Sequence, residues 1–470
     1  MGTADPVRLA RPARAIAARE IAALALLGLT IALLFADQNL MAPNLTQIAN
    51  EFGFSAVERD AKLGGHTSLA FWMLGAIASI LIGTLTDRMP RKWLFVGVML
   101  IGEIPCLLTG FTRNYEELFW ARALTGLGLG GALPLVYSLL GDYFSARARA
   151  AATAITGFAM GIGIAAGQVL ASMIGPTLGW RLPFILVAAP NLVLIGVLAA
   201  VMREPARGGT EEALKELVER GEVYAERVDW ARWKAIFRTR TNALVFLQGL
   251  PGTVPWGIFF TFLNDFYAQD KGYSVERAVL LVMAIGVGAL AGGLVGGLWG
   301  NRLYNRNPAY LPILSGVTAL LGIPPTLVLI NLPAHAGGGA PPMALPLVLS
   351  LVTGFVISIP SSNVKAMLIN VNAPEIRGSV FSLYNLADDL GRGLGPWVIG
   401  SLLVPALGRT AAFSVAACFW IACGVVLLAT ARAFPRDERA LQEALRAKMG
   451  AATVTTTGTA TAEAQFARVS

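Results

Sequence analysis

The chain has 470 residues, of which 55% are hydrophobic and only 14% are charged, and its mean hydropathy is +0.61. Soluble globular chains carry about 25% charged residues, so this composition excludes an ordinary soluble domain and places the chain in lipid. The formal net charge of +8 is spread over short Lys and Arg clusters between apolar runs. That distribution is typical of cytoplasmic membrane loops and argues against nucleic-acid binding.

Long apolar runs set the number of membrane crossings, because a helix needs about 20 mostly apolar residues to span a bilayer. The first part of the chain predicts six spans, near residues 21–46, 62–85, 92–111, 116–140, 149–174 and 181–202. After a charged stretch, six more are predicted near 242–267, 276–300, 310–331, 344–369, 378–404 and 410–431. The basic N-terminus precedes an apolar run without a small-residue cleavage site, which predicts a retained first span.

The charges of the connections predict the orientation. The connections after spans two, four, eight and ten are basic, with Arg88, Arg91, Lys92, Arg147, Arg149, Arg302, Arg306 and Arg377. The opposite connections are acidic, with Glu51, Glu58, Asp60, Glu116, Glu117, Asp270 and Glu276. Basic residues are retained on the cytoplasmic side, so we expect a multi-pass cell (inner) membrane protein with both termini in the cytoplasm.

These spans predict an all-α membrane protein of twelve transmembrane helices in two six-helix bundles. The predicted units are an N-terminal bundle, a cytoplasmic linker, a C-terminal bundle and a cytoplasmic, mostly disordered tail, at residues 1–202, 203–240, 241–435 and 436–470. Within the linker, an aromatic stripe beside basic residues predicts an interfacial helix, with Trp230, Trp233 and Phe237. The tail ends in Thr- and Ala-rich sequence, which is typical of disorder.

The two halves repeat one motif at matching positions. After span two the chain reads Gly83-Thr84-Leu85-Thr86-Asp87-Arg88-Met89-Pro90-Arg91-Lys92. After span eight it reads Gly297-Leu298-Trp299-Gly300-Asn301-Arg302. The first run is similar to the Gly-x-Leu-x-Asp-Arg-x-x-Arg-Lys signature of the major facilitator superfamily, and the second resembles a weaker copy. Repeats at matching positions of two six-helix halves are what that fold predicts.

The resemblance implies a transporter that works by alternating access. In the motif, glycine permits close helix approach and the acid faces a basic cluster, so the pair would act as a conformational latch between two packings of the halves. The latch residues would be Gly83, Asp87, Arg88, Arg91, Asn301 and Arg302. The alternative is that the basic residues only set topology, which leaves Asp87 unexplained.

Three ionisable residues inside the first four spans are candidates for proton coupling, since such residues are costly in a membrane. Asp37 lies in span one and Arg122 in span four, and an Asp–Arg pair would let the acid exchange a proton as access changes. Asp37 could instead be a polar residue near the outer interface. Glu103, in span three before Pro105, is either paired to a neighbouring helix or a neutral carboxyl bonded to backbone.

The second half offers a further charged group and an aromatic one. In span eleven, Asp388 and Arg392 are one helical turn apart and should neutralise each other, which leaves Asp389 available for a proton. In span seven, two prolines should interrupt the helix and form a flexible gate, with Trp256 and Phe259 on or near the substrate path; the alternative is a kink between packed helices. The substrate-binding candidates are therefore Arg122, Trp256, Phe259, Asp388 and Arg392.

Three functions fit this sequence. The first is a proton-driven antiporter that exports an amphipathic organic molecule or lipid, because the chain resembles proton-coupled exporters and Spinster-like lipid transporters. That resemblance rests on Asp37, on Arg122 with glycines after it, and on Pro134; Gly130 departs from it, since Spinster-like proteins carry an acid there. The second is proton-coupled uptake of a small organic anion held by Arg122 and Arg392. The third is a membrane receptor or lipid-binding protein that transports nothing.

The sequence favours transport over the third function, since a receptor needs no buried carboxylates. It contains no nucleophile–base set, metal-ligand spacing or phosphate loop, so we expect no enzyme activity, no metal and no cofactor. The three cysteines indicate no disulfide framework. The expected partners are a small-molecule or lipid substrate and membrane lipid, with a proton gradient as the energy source and a monomer as the working unit.

Overall fold

The computed structural model describes residues 18–86, 89–143, 146–204, 236–334, 342–373 and 376–466. Twelve helices in these ranges are long and apolar enough to cross a membrane, and we number them α1 to α12. The N-terminal six are Ala25–Glu51, Ala56–Thr86, Arg91–Thr109, Tyr115–Leu140, Ile155–Leu178 and Leu182–Val201. The C-terminal six are Arg240–Thr261, Val275–Tyr304, Tyr310–Ile330, Ala344–Val371, Arg377–Leu407 and Arg409–Ala444. The predicted fold class is confirmed, with each helix on a predicted span.

Glycines set the closest helix contacts within each half. A Cβ at Gly130 of α4 would lie 2.0 Å from the Gly75 carbonyl oxygen of α2. In the other half, a Cβ at Gly292 of α8 would lie 1.9 Å from the Phe355 carbonyl oxygen of α10. The α2–α4 and α8–α10 pairs occupy matching places in the two bundles, so the repeat seen in the sequence is also a repeat of packing. Gly130, which departs from the Spinster-like pattern, is therefore required for packing here.

We predict that Gly163→Ala destabilises the protein while Gly157→Ala does not, although both glycines lie on α5. A Cβ at Gly163 would lie 2.0 Å from the Ala32 carbonyl oxygen of α1, whereas one at Gly157 meets nothing within 4 Å. Overpacking costs about 1–3 kcal/mol, and an exposed helical Gly→Ala gains up to about 1 kcal/mol. Thermal unfolding of both variants in detergent checks this, and equal melting temperatures would contradict it.

Three spans are irregular toward the end of the bundle opposite the termini, which we call the distal end, and α9 is interrupted at Gly322. In α1, a helix that ends at Asp37 is followed by four non-helical residues and a 3₁₀ turn at Ala42–Asn44. α2 begins with a π-helical segment at Arg59–His66, and α11 contains another at Ile399–Leu403. Such segments are frequent at functional sites.

The expected interruption of α7 by its prolines was wrong. The helix runs without a break from Arg240 to Thr261, through Pro251 and Pro255. Nearby carbonyls gain side-chain donors: the Trp420 indole donates to the Gly252 oxygen at 3.0 Å. Packing against α11 and α12 holds the helix through the prolines, as neighbours do in membrane bundles.

Two other predictions concern the ends of the C-terminal bundle. The linker residues Trp230 and Trp233 lie outside the described residues, and Phe237 is exposed. The tail prediction was wrong for most of its length, because one helix runs from Arg409 to Phe466. A helix nucleated by the apolar span propagates easily into the Ala-, Glu- and Lys-containing segment that follows.

Candidate functional site

A pocket lies between the two halves, beside the break in α1. Its lining is mostly polar and aromatic and comes from α1, α2, α4 and α7: Gln38, Asn39, Met41, Ala42, Leu45, Thr67, Ser68, Phe71, Trp72, Arg122, Phe260 and Thr261. Ser68 and Thr261 face each other across the interface, with their hydroxyl oxygens 3.2 Å apart. The pocket therefore joins both halves, as the substrate site of an alternating-access transporter must.

Arg122 of α4 bridges the pocket and the broken helix. One guanidinium nitrogen, Nη2, donates to the Asp37 backbone oxygen at 2.9 Å. This contact satisfies a carbonyl at the end of the first helical part of α1, where a cation is favourable. The guanidinium also lies over the rings of Phe71 and Phe184, at 5.2 and 5.4 Å from their centroids. Arg122 is thus fixed in place, while its Nη1 has no hydrogen-bond partner among the residues that the structure describes.

The predicted coupling residues Asp37, Glu103 and Arg122 meet in one buried cluster. Asp37 and Glu103 are both 0% exposed, and the three charges are close enough to interact. Glu103 accepts a hydrogen bond from the Asn191 amide of α6 at 2.6 Å. Within the described residues, neither carboxyl oxygen of Asp37 accepts a hydrogen bond of normal geometry, although the Cys106 thiol and Glu103 lie close by. The Asp37–Arg122 contact runs through the backbone of Asp37, which a sequence pattern could not indicate.

The charged group of α11 differs from the prediction. Arg392 pairs with Asp389, three residues away, at 3.7 Å, whereas the sequence predicted a pair with Asp388. The guanidinium also lies 5.2 Å from the ring of Trp72, across the interface between the halves. Asp389 is therefore the acid that forms the ion pair, while Asp388 also interacts with Arg392 and with the Tyr384 hydroxyl.

The aromatic candidates of α7, Trp256 and Phe259, contact each other with ring centroids 6.0 Å apart, but each also meets a different neighbour. Phe259 is buried and meets Trp420 edge-on, away from the pocket. Trp256 stacks on Phe260, with ring centroids 5.9 Å apart, and Phe260 rather than Trp256 lines the pocket. The sequence missed Phe260, although it lies four residues after Trp256 on the same helical face.

The distal end is closed by a charged network that the sequence did not predict. Arg409 of α12 donates to both Asp60 carboxyl oxygens, at 2.8 and 2.7 Å, and to Asp265 at 2.7 Å and Asp270 at 2.7 Å. Asp60 belongs to α2, so the contact joins the two halves. We call the set Thr46, Arg59, Asp60, Asp265, Asp270 and Arg409 the closing network. A lone Arg at the start of the last span was the signal available in the sequence.

The two π-helical segments pack directly beneath the closing network. A Cβ at Gly400 of α11 would lie 2.5 Å from the Asp60 carbonyl oxygen, and one at Gly65 of α2 would lie 2.8 Å from Ser401 Oγ. A Cβ at Gly64 would lie 2.0 Å from the ring of Phe262. Charged and close-packed contacts together thus seal the pocket from the distal end.

The predicted latch residues lie at the other end of the bundle. Asp87 and Arg88 lie outside the described residues. Arg91 is buried and pairs with Glu204 at the end of α6, at 3.3 Å, so its contact stays within one half. A Cβ at Gly83 would meet no atom of the described residues within 4 Å, so the predicted close approach is not present among them. Asn301 and Arg302 are exposed. The latch therefore stays a prediction, for a conformation in which this end is closed.

Comparison with known proteins identifies the family. The model of the Major Facilitator Superfamily matches residues 27–396. The chain belongs to this superfamily and is a membrane transporter. Among the described residues, no group of three or more His, Cys, Asp or Glu could hold a metal ion.

The similar proteins differ in what their names describe. A gentisate transporter of Corynebacterium glutamicum is 26% identical over 77% of this chain and 74% of its own length. A 4-hydroxybenzoate transporter of Pseudomonas putida is 28% identical over 54% of this chain and 61% of its own length. A solved bacterial homologue of the human lysosomal transporter Spinster, inward-facing and unoccupied, has a TM-score of 0.74 at 20% identity and covers 89% of this chain and 98% of its own. That structural likeness shows the fold alone.

Proposed function

We propose that this protein takes up a small aromatic carboxylate together with protons. The observation that carries the proposal is the pocket, where the fixed cation Arg122 lies beside the rings of Phe71, Trp72 and Phe260. A guanidinium suits a carboxylate, and aromatic walls suit a planar ring. The names of the gentisate and 4-hydroxybenzoate transporters support the same substrate class.

Proton coupling follows from the charge of such a substrate. An inside-negative membrane opposes anion entry by about 2.3 kcal/mol per charge for each 100 mV. Each proton that enters with the anion neutralises one negative charge and so removes the electrical cost of moving that charge. The buried carboxyls Asp37 and Glu103 lie beside Arg122 and would carry these protons. Binding of substrate and proton within one cluster would tie the two together.

The test is uptake by purified full-length protein in proteoliposomes, with radiolabelled 4-hydroxybenzoate, gentisate and the neutral 4-hydroxybenzamide. With the outside more acidic by one pH unit, we expect accumulation of the carboxylates, because that difference supplies about 1.4 kcal/mol, or about tenfold, for each coupled proton. A protonophore should abolish the accumulation, and the amide should not accumulate. If no carboxylate moves while a lipid reporter does, the proposal is overturned.

The first function suggested by the sequence, export of an amphipathic molecule or lipid by a proton antiporter, remains the second candidate. The Spinster-like fold and the exposed aromatic and aliphatic surface of α5 and α8 are compatible with it. The polar pocket lining favours the carboxylate instead. The uptake assay separates the two. In an antiporter, protons that enter from an acidic outside would drive the substrate out, so the substrate would not accumulate.

A further inference from the structure

The pocket contains two buried donors without acceptors. Among the lining residues, Asn39 Nδ2 and Arg122 Nη1 are the buried side-chain nitrogens with no hydrogen-bond partner in the part of the chain that the structure describes. Of the other polar lining groups, Thr67 donates to the Lys62 oxygen at 2.9 Å, Ser68 pairs with Thr261, and Gln38 is only half-buried. The two buried unpaired donors therefore require an acceptor.

Asn39 occupies its position because α1 is broken there. The helix ends at Asp37, and Asn39 is only 2% exposed within the non-helical segment that follows. A continuous helix would rotate Asn39 by about 200° from Asp37. In the break, Asn39 lines the same pocket as Arg122. A buried unpaired donor destabilises a protein, and this cost is sustained most easily where a ligand supplies the missing acceptor.

We infer that Asn39 is a specificity residue that binds the substrate carboxylate together with Arg122. An ionised carboxylate has two oxygens that only accept hydrogen bonds. One oxygen would accept a hydrogen bond from Arg122 Nη1, and the other would accept one from Asn39 Nδ2. The inference rests on the proposed function and adds a residue to it. It also explains how the site distinguishes an acid from its amide, because an amide replaces one acceptor oxygen with an NH₂ donor that opposes Asn39 Nδ2.

The test is equilibrium binding of radiolabelled 4-hydroxybenzoate to purified full-length protein, with competition by 4-hydroxybenzamide. Asn39→Asp keeps the side-chain shape but exchanges the donor for an acidic oxygen. We expect at least a tenfold loss of 4-hydroxybenzoate affinity, while amide competition stays the same or improves. Asn50→Asp makes the same substitution at an exposed position of α1 and should leave both affinities unchanged.

The outcomes separate the inference from the proposed function. If wild type binds no aromatic carboxylate, the proposed function fails and the inference with it. If wild type binds 4-hydroxybenzoate and Asn39→Asp binds it equally well, only the inference is overturned. Should Asn39→Asp not yield folded protein, Asn39→Ser removes the amide without adding charge. That variant should lose severalfold in carboxylate affinity and little in amide affinity, and equal losses for both ligands would also overturn the inference.

Discussion

Arg409→Ala is expected to open the distal end of the transporter. The Arg409 guanidinium holds three carboxylates at 2.7–2.8 Å, and the side chains of Asp60 and Asp265 are 1% and 2% exposed. Removal of one partner from a buried ion pair costs about 3–5 kcal/mol. Arg59 stays paired with Asp60 and Asp265 in this variant, so the loss of Arg409 leaves two buried acids with one cation. In this protein, separation of the two halves would expose the acids to water and remove that cost, so the substitution favours the open distal end.

The size of the shift follows from that penalty. A change of about 3–5 kcal/mol corresponds to a factor of more than 100 in the equilibrium between closed and open distal ends. A cysteine in place of Ser68, which lines the pocket beneath the closing network, reports on that equilibrium. In a background without Cys106, Cys418 and Cys423, we expect its labelling by an impermeant maleimide from the distal side to accelerate at least tenfold. Substrate transport should fall, because the closed distal state is no longer favoured.

Arg181→Ala is the matched control. Arg181 pairs with Glu51 at 2.6 Å at the same end of the bundle, but both residues belong to the N-terminal half and are partly exposed. Exposed pairs contribute about 0–1 kcal/mol, so the labelling rate of this variant should equal that of the parent. Equal labelling of the Arg409 and Arg181 variants would show that the closing network does not hold the halves together.

A second variant reaches the same state without a change of charge. A Cβ at Gly400 would lie 2.5 Å from the Asp60 backbone oxygen, so Gly400→Val should wedge α11 from α2. We expect faster labelling of the same cysteine. If Gly400→Val opens the distal end and Arg409→Ala does not, close packing rather than charge closes it.

The fold was predictable because the bilayer leaves few choices. Length and hydropathy located all twelve spans, and the repeat of Gly83 to Lys92 near Asn301 indicated two related halves. The local breaks were not predictable. Asn39 and Pro43 are weak helix formers near the break in α1, but such residues do not decide the matter alone, because two prolines in α7 indicated a break that tertiary packing prevents.

The site was predictable as far as single residues allow. A carboxyl or guanidinium group inside a membrane span is rare. This rarity identified Asp37, Glu103 and Arg122 as candidates from the sequence alone. The ion-pair partner of each charged residue depends on how the helices are rotated against one another, which one sequence does not determine. Arg392 therefore pairs with Asp389 rather than Asp388, and Arg409 and Asp60, which are 349 residues apart, form a contact that only the assembled halves create.

Asp37→Asn is expected to leave substrate exchange intact while it abolishes accumulation driven by a pH difference. Both Asp37 carboxyl oxygens are buried and accept no hydrogen bond of normal geometry within the described residues, and the residue ends a helix, where the dipole opposes a negative charge. The ionised form is therefore poorly supported in this conformation, and a rearrangement of the α1 break that turns Arg122 from the Asp37 backbone to its carboxyl would support it. Asparagine has nearly the same shape but cannot carry a proton.

The measurement compares two transport assays, exchange and accumulation, on the same proteoliposome preparation. Exchange of labelled for unlabelled 4-hydroxybenzoate at equal pH requires only the conformational cycle, and the Asp37→Asn variant should retain at least a third of the wild-type rate. Accumulation with an acidic outside requires a proton site, and it should fall from about tenfold per coupled proton to none. Glu103→Gln and Asp389→Asn serve as comparisons, because Asn191 and Arg392 already engage those acids. If Asp37→Asn still accumulates substrate and one of the other two does not, Asp37 is structural and the proton site lies at that other acid.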